Sequence, residues 1–255
     1  MVLALVLLWS CQPNRPVSEQ QFPSAAVTDS TARTPMATAP MPETLPPDVS
    51  EDVSEAEQSL LAAGLVDVQS LDSTIGVMLK YSTTDNFVGV DVYGDLTKAY
   101  LQPKAAQKLA RAQQYLREKR AEYRLLVYDA ARSKRVQQIL WDTLKKPLAL
   151  KPLYVANPQV GSIHNYGAAV DLTIADSLGQ PLDMGTPFDY FGILAYPSKE
   201  DSLRQRGQLT PVQVANRRLL RDVMRRAGFT PIDSEWWHFN ALSLARCKQE
   251  YGIIK

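Results

Sequence analysis

The sequence predicts an α+β fold: a single domain in which a central antiparallel sheet is flanked by helices. Short apolar or alternating stretches read as strands, and longer stretches with helical period read as helices. The two kinds are interspersed without the regular strand–helix alternation of a doubly wound sheet. Hydrophobic residues make up 45% of the 255 residues, enough for one substantial core or a core plus a tail. There is no internal repeat and no Gly-rich phosphate-cradling loop.

Residues 1–11 open with the apolar run MVLALVLLWS. A membrane span takes about 20 residues, so this run is too short to be one. It looks like the core of a signal peptide. Leu8-Trp9-Ser10-Cys11 resembles a bacterial lipobox, in which the cysteine takes a lipid. The expectation is membrane attachment through a lipid on Cys11 and a cell-envelope location, lipid-anchored or periplasmic. A mis-called start codon or a short buried strand is the alternative. Residues 12–50 are rich in Pro, Ser, Thr and Ala and show no period. Such a composition buries too little apolar surface to offset the entropy of ordering, so a disordered tether is expected.

The folded domain is expected over 51–255. Ser54 caps a short helix running to Ala63, with Gly64 at its end. Ser73 to Tyr81 reads as a strand because Ile75, Val77 and Leu79 alternate. Pro103 suits a first helical position, and Ala106, Leu109, Ala110, Tyr115 and Leu116 form a stripe over the following turns. Arg124 to Tyr128 is a short apolar strand. Ser133 starts a helix with Val136, Ile139 and Leu140 inward. Ala168 to Ile174 reads as a strand. Thr210-Pro211 opens a long helix to Ala227, stopped by Gly228. The aromatic stretch Ser234 to Asn240 suits a buried strand.

Composition excludes several classes of function. The formal net charge of +1 gives no general affinity for nucleic acid, and no nucleic-acid partner is expected. Two cysteines make neither a disulfide scaffold nor a Cys-rich zinc module. With only two histidines, a histidine-dependent metal site must use His164 and His238 or none.

Each histidine sits in a short cluster. SIHNYGAAVD, from Ser162 to Asp171, pairs a nitrogen ligand with an oxygen ligand, and the small residues between them let the backbone pass close to a metal or substrate. EWWH joins Glu235 and His238 within one stretch. A lone histidine is more often a core or surface residue than a ligand. An Asp after an apolar run is often a cap, and Glu235 has the alternative of pairing with a nearby Arg. The combination points the other way. His164, Asp171 and His238 give three ligands with an open fourth position, which is the arrangement of a catalytic zinc. Glu235 is then the natural carboxylate to take a proton from an activated water.

Ser162-x-His164-x-x-Gly167-x-Ala169-x-Asp171, followed by Glu235-x-Trp237-His238, resembles the zinc D-Ala-D-Ala dipeptidases and carboxypeptidases of peptidase family M15. The nearest branch in pattern is the dipeptidase of the vancomycin-resistance type. The resemblance runs from about Ser73 to Gly252 and includes KYSTTDNFVG, VYDAARSKRVQ and LDMGTPFDYF. It implies the Hedgehog/DD-peptidase-like form of the α+β fold and one zinc ion per chain. The implied reaction is hydrolysis of a small D,D-dipeptide in cell-wall peptidoglycan metabolism. By the same resemblance His164, Asp171 and His238 match the zinc ligands, Glu235 the catalytic base, and Arg132 the group that steadies the oxyanion. Tyr81 and Asp189 match the groups that receive the substrate's ammonium, and Ser162 lies near its carboxylate. Residue by residue the plainer alternatives are packing for Tyr81, a turn for Asp189 and pairing with Asp129 for Arg132. Ala131 stands where an aromatic commonly precedes the arginine. Two other functions stay open at this point: a D,D-carboxypeptidase on stem peptides, and a non-catalytic lipid-tethered binding module.

Overall fold

A computed structural model describes residues 54–255, so the expectations for 1–11 and 12–50 lie outside the described residues. Ser54 accepts a hydrogen bond from the Glu57 amide and starts helix α1, Glu55–Ala62. Strand β1, Val66–Asp67, pairs antiparallel with β3, Tyr100–Leu101, as a separate two-stranded sheet. The main sheet has five strands: β2 (Gly76–Val77), β4 (Arg124–Asp129), β5 (Ala169–Ala175), β6 (Thr230–Pro231) and β7 (His238–Asn240). Their order is β2-β4-β5-β7-β6. All neighbours are antiparallel except the edge pair β2–β4, which is parallel. The remaining helices are α2 (Pro103–Lys119), α3 (Lys134–Thr143), α4 (Glu200–Gln205), α5 (Pro211–Arg226) and α6 (Leu244–Glu250).

Helices α2 and α5 pack on each other and against β4 and β5. Their inward stripes, with Leu109, Leu116, Leu220 and Val223 all fully buried, meet Val170, Leu172 and Ile174 of β5 in one core. Burying each such side chain contributes about 1.5–3 kcal/mol. Successive strand residues face opposite sides, so the residues between these, Asp171 and Thr173, point to the other face of β5. That face is also buried.

Strand β4 follows the same alternation only as far as Val127, which sits opposite Leu172. An irregularity then intervenes, and Asp129 sits opposite Asp171. One extra residue in a strand reverses the facing of everything after it. The bulge therefore moves Asp129 from the core side to the Asp171 side.

Two expected strands are shorter than the sequence pattern suggests. In Ser73 to Tyr81 only Gly76–Val77 joins the ladder, and Lys80–Ser82 forms a 3-10 turn. The alternation there records burial, with Ile75 and Leu79 inward, more than pairing. In Ser234 to Asn240 only His238–Asn240 is strand, and residues 235–237 bend ahead of it. On a straight strand, residues three apart lie about 10 Å apart and face opposite sides. The bend is what brings the Glu235 carboxylate to 3.9 Å from the His238 ring.

Gly167 closes the 3-10 turn Ile163–Tyr166 with φ of 64°. A Cβ there would lie 2.7 Å from the buried Leu65 side chain. Gly167→Ala is expected to lower stability by at least about 1 kcal/mol, the minimum cost of a left-handed L-residue, read from urea denaturation. An unchanged midpoint would show that the turn relaxes freely.

Candidate metal centre

His164 is held from three directions. The Ser162 hydroxyl accepts from the His164 amide at 3.3 Å, and Asn165 Oδ1 accepts from the Ser162 amide at 2.7 Å, forming a capping box. The Arg132 amide donates to the His164 carbonyl at 3.0 Å, and Asn165 Nδ2 donates to the Arg132 carbonyl at 2.8 Å. The turn is thus stitched to the loop after β4. His164 Nδ1 donates to the Ala130 carbonyl at 2.7 Å, which leaves the lone pair on Nε2 aimed at the sheet.

Asp171 and His238 arrive by register, being directly opposite on β5 and β7. His238 Nε2 lies 2.8 Å from Asn240 Oδ1, an acceptor that keeps a proton on Nε2 and leaves Nδ1 as the nitrogen turned to Asp171. Three atoms converge: His238 Nδ1 to Asp171 Oδ1 is 2.9 Å, His164 Nε2 to His238 Nδ1 is 3.2 Å, and His164 Nε2 to Asp171 Oδ1 is 3.5 Å. A tetrahedral ion bound at about 2.0–2.1 Å needs ligand atoms about 3.3–3.4 Å apart. The triangle fits that requirement. Each imidazole is oriented by an acceptor behind it, which favours the tautomer that metal binding needs.

Electrostatics bind the same three residues. Burial favours the neutral acid form of Asp171, but the facing charges and hydrogen bonds of His164 and His238 overcome it and hold the carboxyl far below its usual range. Burial likewise opposes charge on His164, and Asp171 outweighs it, so the imidazole is raised. Glu235 stands outside the triangle. Burial pushes its carboxyl up to about 8, with His238 pulling down and Asp171 and Asp189 pushing up.

Arg132 does pair with Asp129, the alternative weighed from the sequence, and it also lines the cavity. Its Nε donates to Asp129 Oδ2 at 3.0 Å, Nη2 donates to the same oxygen, and Nη1 donates to Gln137 Oε1 at 3.0 Å. A guanidinium has five N–H groups, so two stay available. Nη2 lies 3.8 Å from Asp171 Oδ2, at the edge of the metal triangle. The Tyr93 hydroxyl donates to the other oxygen of Asp129. The pairing leaves the arginine free to act on a ligand while fixing its aim.

The Tyr81 hydroxyl donates to Asp189 Oδ2 at 2.9 Å. Burial pushes the Asp189 carboxyl up to about 8; the Tyr81 hydrogen bond draws it down and Asp171 raises it. Asp189 is the one non-glycine with positive φ among the described residues, at 58°. Tyr81, Arg132, Ser162, His164, Asp171, Asp189, Glu235 and His238 all line a single cavity of about 260 Å³. Phe87, Phe191 and Trp237 supply apolar wall. Its volume lies just below the range of about 300–1,000 Å³ typical of drug-sized ligands. Trp236 does not line it, and its Nε1 donates to Thr186 Oγ1 at 2.8 Å.

Sequence reasoning missed the supporting groups: Asn240, Gln137, Tyr93 and the Ala130 carbonyl. Only Asn240 carried a signal, since a polar residue two beyond a ligand on a strand shares its face.

The chain as a whole is similar to known proteins. The family model described as D-Ala-D-Ala dipeptidase, peptidase family M15, matches residues 61–252. The D-alanyl-D-alanine dipeptidase of Escherichia coli strain K12 is 34% identical over 175 residues, covering 69% of this chain and 83% of that protein. The Streptomyces coelicolor protein of the same name is 30% identical over 190 residues, covering 68% and 88%. That of Enterococcus faecium is 27% identical over 178 residues, covering 63% and 82%.

Asn240→Leu removes the acceptor behind His238 and lets its tautomer drift. Affinity for a divalent metal is expected to fall about 10- to 100-fold, measured by competition with a chromophoric chelator. Unaltered affinity would mean that strand register alone orients His238.

Proposed function

The chain belongs to the D-Ala-D-Ala dipeptidase family of peptidases, M15, and is a hydrolase; from that premise we propose that it hydrolyses D-alanyl-D-alanine to two molecules of D-alanine with one zinc ion per chain. The observation that carries this reading is the meeting, in one small cavity, of a three-ligand cluster with a carboxylate outside it and an arginine beside it. Zinc held by His164, Asp171 and His238 supplies Lewis acidity, polarising a carbonyl and bringing the pKa of a water down to about 7.

The chain's own residues do the rest. Glu235 takes the proton from the attacking water as the new C–O bond forms, and returns it to the departing amine as the C–N bond breaks. A carboxylate that returns the proton it takes works best with a pKa near the operating pH, and burial moves Glu235 in that direction. Arg132 points its free N–H groups at the oxygen that becomes anionic. Its charge is permanent and its plane is fixed by Asp129 and Gln137.

A free dipeptide carries a charge at each end, a few bonds from the scissile amide. Asp189 receives the ammonium, oriented by Tyr81, and the approaching cation favours its ionised form. The Ser162 hydroxyl serves the carboxylate. A carboxyl in a small cavity that a cation would ionise supports the dipeptidase over the carboxypeptidase reading, because a stem peptide presents an acylated nitrogen with no charge to offset Asp189. A role in peptidoglycan metabolism and a cell-envelope location through Cys11 belong to the same proposal. They rest on the substrate class and on the apolar run at residues 1–10.

Glu235→Gln is expected to lower turnover of D-Ala-D-Ala by about 10²–10⁴ with metal content unchanged, measured by D-alanine release and by metal analysis. Loss of metal in that variant would make Glu235 a ligand and sink the mechanism. A chelator is expected to abolish activity, and added zinc to restore it. N-acetyl-D-Ala-D-Ala is expected to be a far poorer substrate than the free dipeptide, and equal rates would favour the carboxypeptidase.

A further inference from the structure

Arg217 belongs to none of the motifs above, yet it is a fully buried side chain on α5. We propose that Arg217 is a positioning residue for the substrate's amine site: it clamps both ends of the loop from Met184 to Leu194 and thereby fixes where Asp189 stands. The proposal rests on the reading of Asp189 as the ammonium acceptor.

The geometry is specific. Arg217 Nε donates to the Met184 carbonyl at 2.6 Å and Nη1 donates to the Leu194 carbonyl at 2.8 Å. One planar head therefore ties the two ends of the loop together. Its Nη2 has no acceptor, and the guanidinium lies 5.8 Å from the centre of the Trp236 ring. Trp236 in turn reaches the loop through Thr186. Two neighbours on the same face of α5 grip the residue just before the loop. Gln213 Nε2 donates to the Asp183 carboxylate at 2.8 Å, and Asn216 Nδ2 donates to the Asp183 carbonyl at 2.9 Å.

The charge of Arg217 is not consumed by an ion pair. Glu200, the nearby carboxylate, is held by both terminal nitrogens of Arg221 at 3.0 and 2.6 Å. Arg217 spends its hydrogen bonds on two main-chain carbonyls, a task that needs two donors at a fixed angle and that a lysine performs poorly. The held loop carries three parts of the cavity. Phe188 packs on Tyr81 with ring centres 5.9 Å apart, Phe191 packs on Phe87 at 5.1 Å, and Asp189 adopts its left-handed φ between them. An aspartate in that conformation persists when its surroundings hold it there. Trp236 adjoins Glu235, so the same clamp ties the amine site to the base.

The test uses the full-length, metal-loaded protein with Arg217→Met, Arg217→Lys, Thr186→Val and Asp189→Asn. Hydrogen exchange of the 184–194 segment is read beside kcat and KM for D-Ala-D-Ala and its N-acetylated form. Arg217→Met is expected to speed exchange in the loop and to raise KM for the free dipeptide about tenfold. Metal content, kcat and the slow turnover of the N-acetylated form should change much less. Arg217→Lys should recover part of the loss. Unchanged exchange and KM in Arg217→Met would overturn the clamp. So would an equal loss on both substrates, which marks a general structural role. If Arg217→Met does not fold, Thr186→Val carries the test, because it removes only the Trp236 anchor. A smaller rise in the same KM and exchange is expected there, and no change in either overturns the proposal. Asp189→Asn should raise KM with loop exchange unaltered. An unchanged KM in that variant overturns the amine-site reading on its own, whatever the exchange shows.

Discussion

A carboxylate on the middle strand of a sheet, buried on both faces, must be matched by positive charge or lose its own. Asp171 is in that position, and the fold is arranged around meeting its demand. His238 is brought opposite by register, His164 by a capped turn, and Arg132 by its pairing with Asp129. None of these groups is stable alone in the interior. An unpaired buried charge costs several kcal/mol, and truncating one member of such a set strands the others. The same mutual dependence that stabilises the cluster makes it a candidate ligand set, since a metal ion would offset the Asp171 charge as the facing groups do.

The bulge in β4 is the device that makes this possible. Val127 belongs to the hydrophobic core and Asp129 to the site, although an even spacing would put both on one side. The bend before β7 does a similar service for Glu235, bringing it toward His238 three residues on. In both places a regular strand would have sent a functional carboxylate into the core. The irregularities lie where the chemistry is, and the regular parts of β4 and β5 hold them in place.

Much of the fold was legible in the sequence because its helices announce themselves. Ser54, Ser133 and Thr210 all cap helices as their position ahead of an apolar period suggested. The strands were harder. Ile75 and Leu79 alternate because they are buried, and no local signal distinguishes that from a ladder. The parallel edge pair β2–β4 is likewise a product of tertiary pairing and leaves no trace in either strand. The eight candidate site residues were named through motifs, and the structure gathers all eight around one cavity. What escaped were the groups that orient them. Gln137 and Tyr93 reach Arg132 and Asp129 from a helix and a loop, and Ala130 contributes only a main-chain oxygen. Such roles depend on distance, not on residue type. Arg217 escaped for the same reason, lying on a helix where a basic residue ordinarily faces water.

His164 and His238 are 74 residues apart in the chain, and Tyr81 and Asp189 are 108 apart. No local segment of the polypeptide contains even a rough copy of the site. In chain order β4 and β5 both precede β7, and the place opposite Asp171 is filled only when β7 joins the sheet. Pairings this distant form slowly, after the entropy of long loops has been met. Docking of β7 therefore brings Phe239 into the hydrophobic core and His238 to the candidate ligand set together. A metal ion held by this cluster would find no finished place until that strand docks.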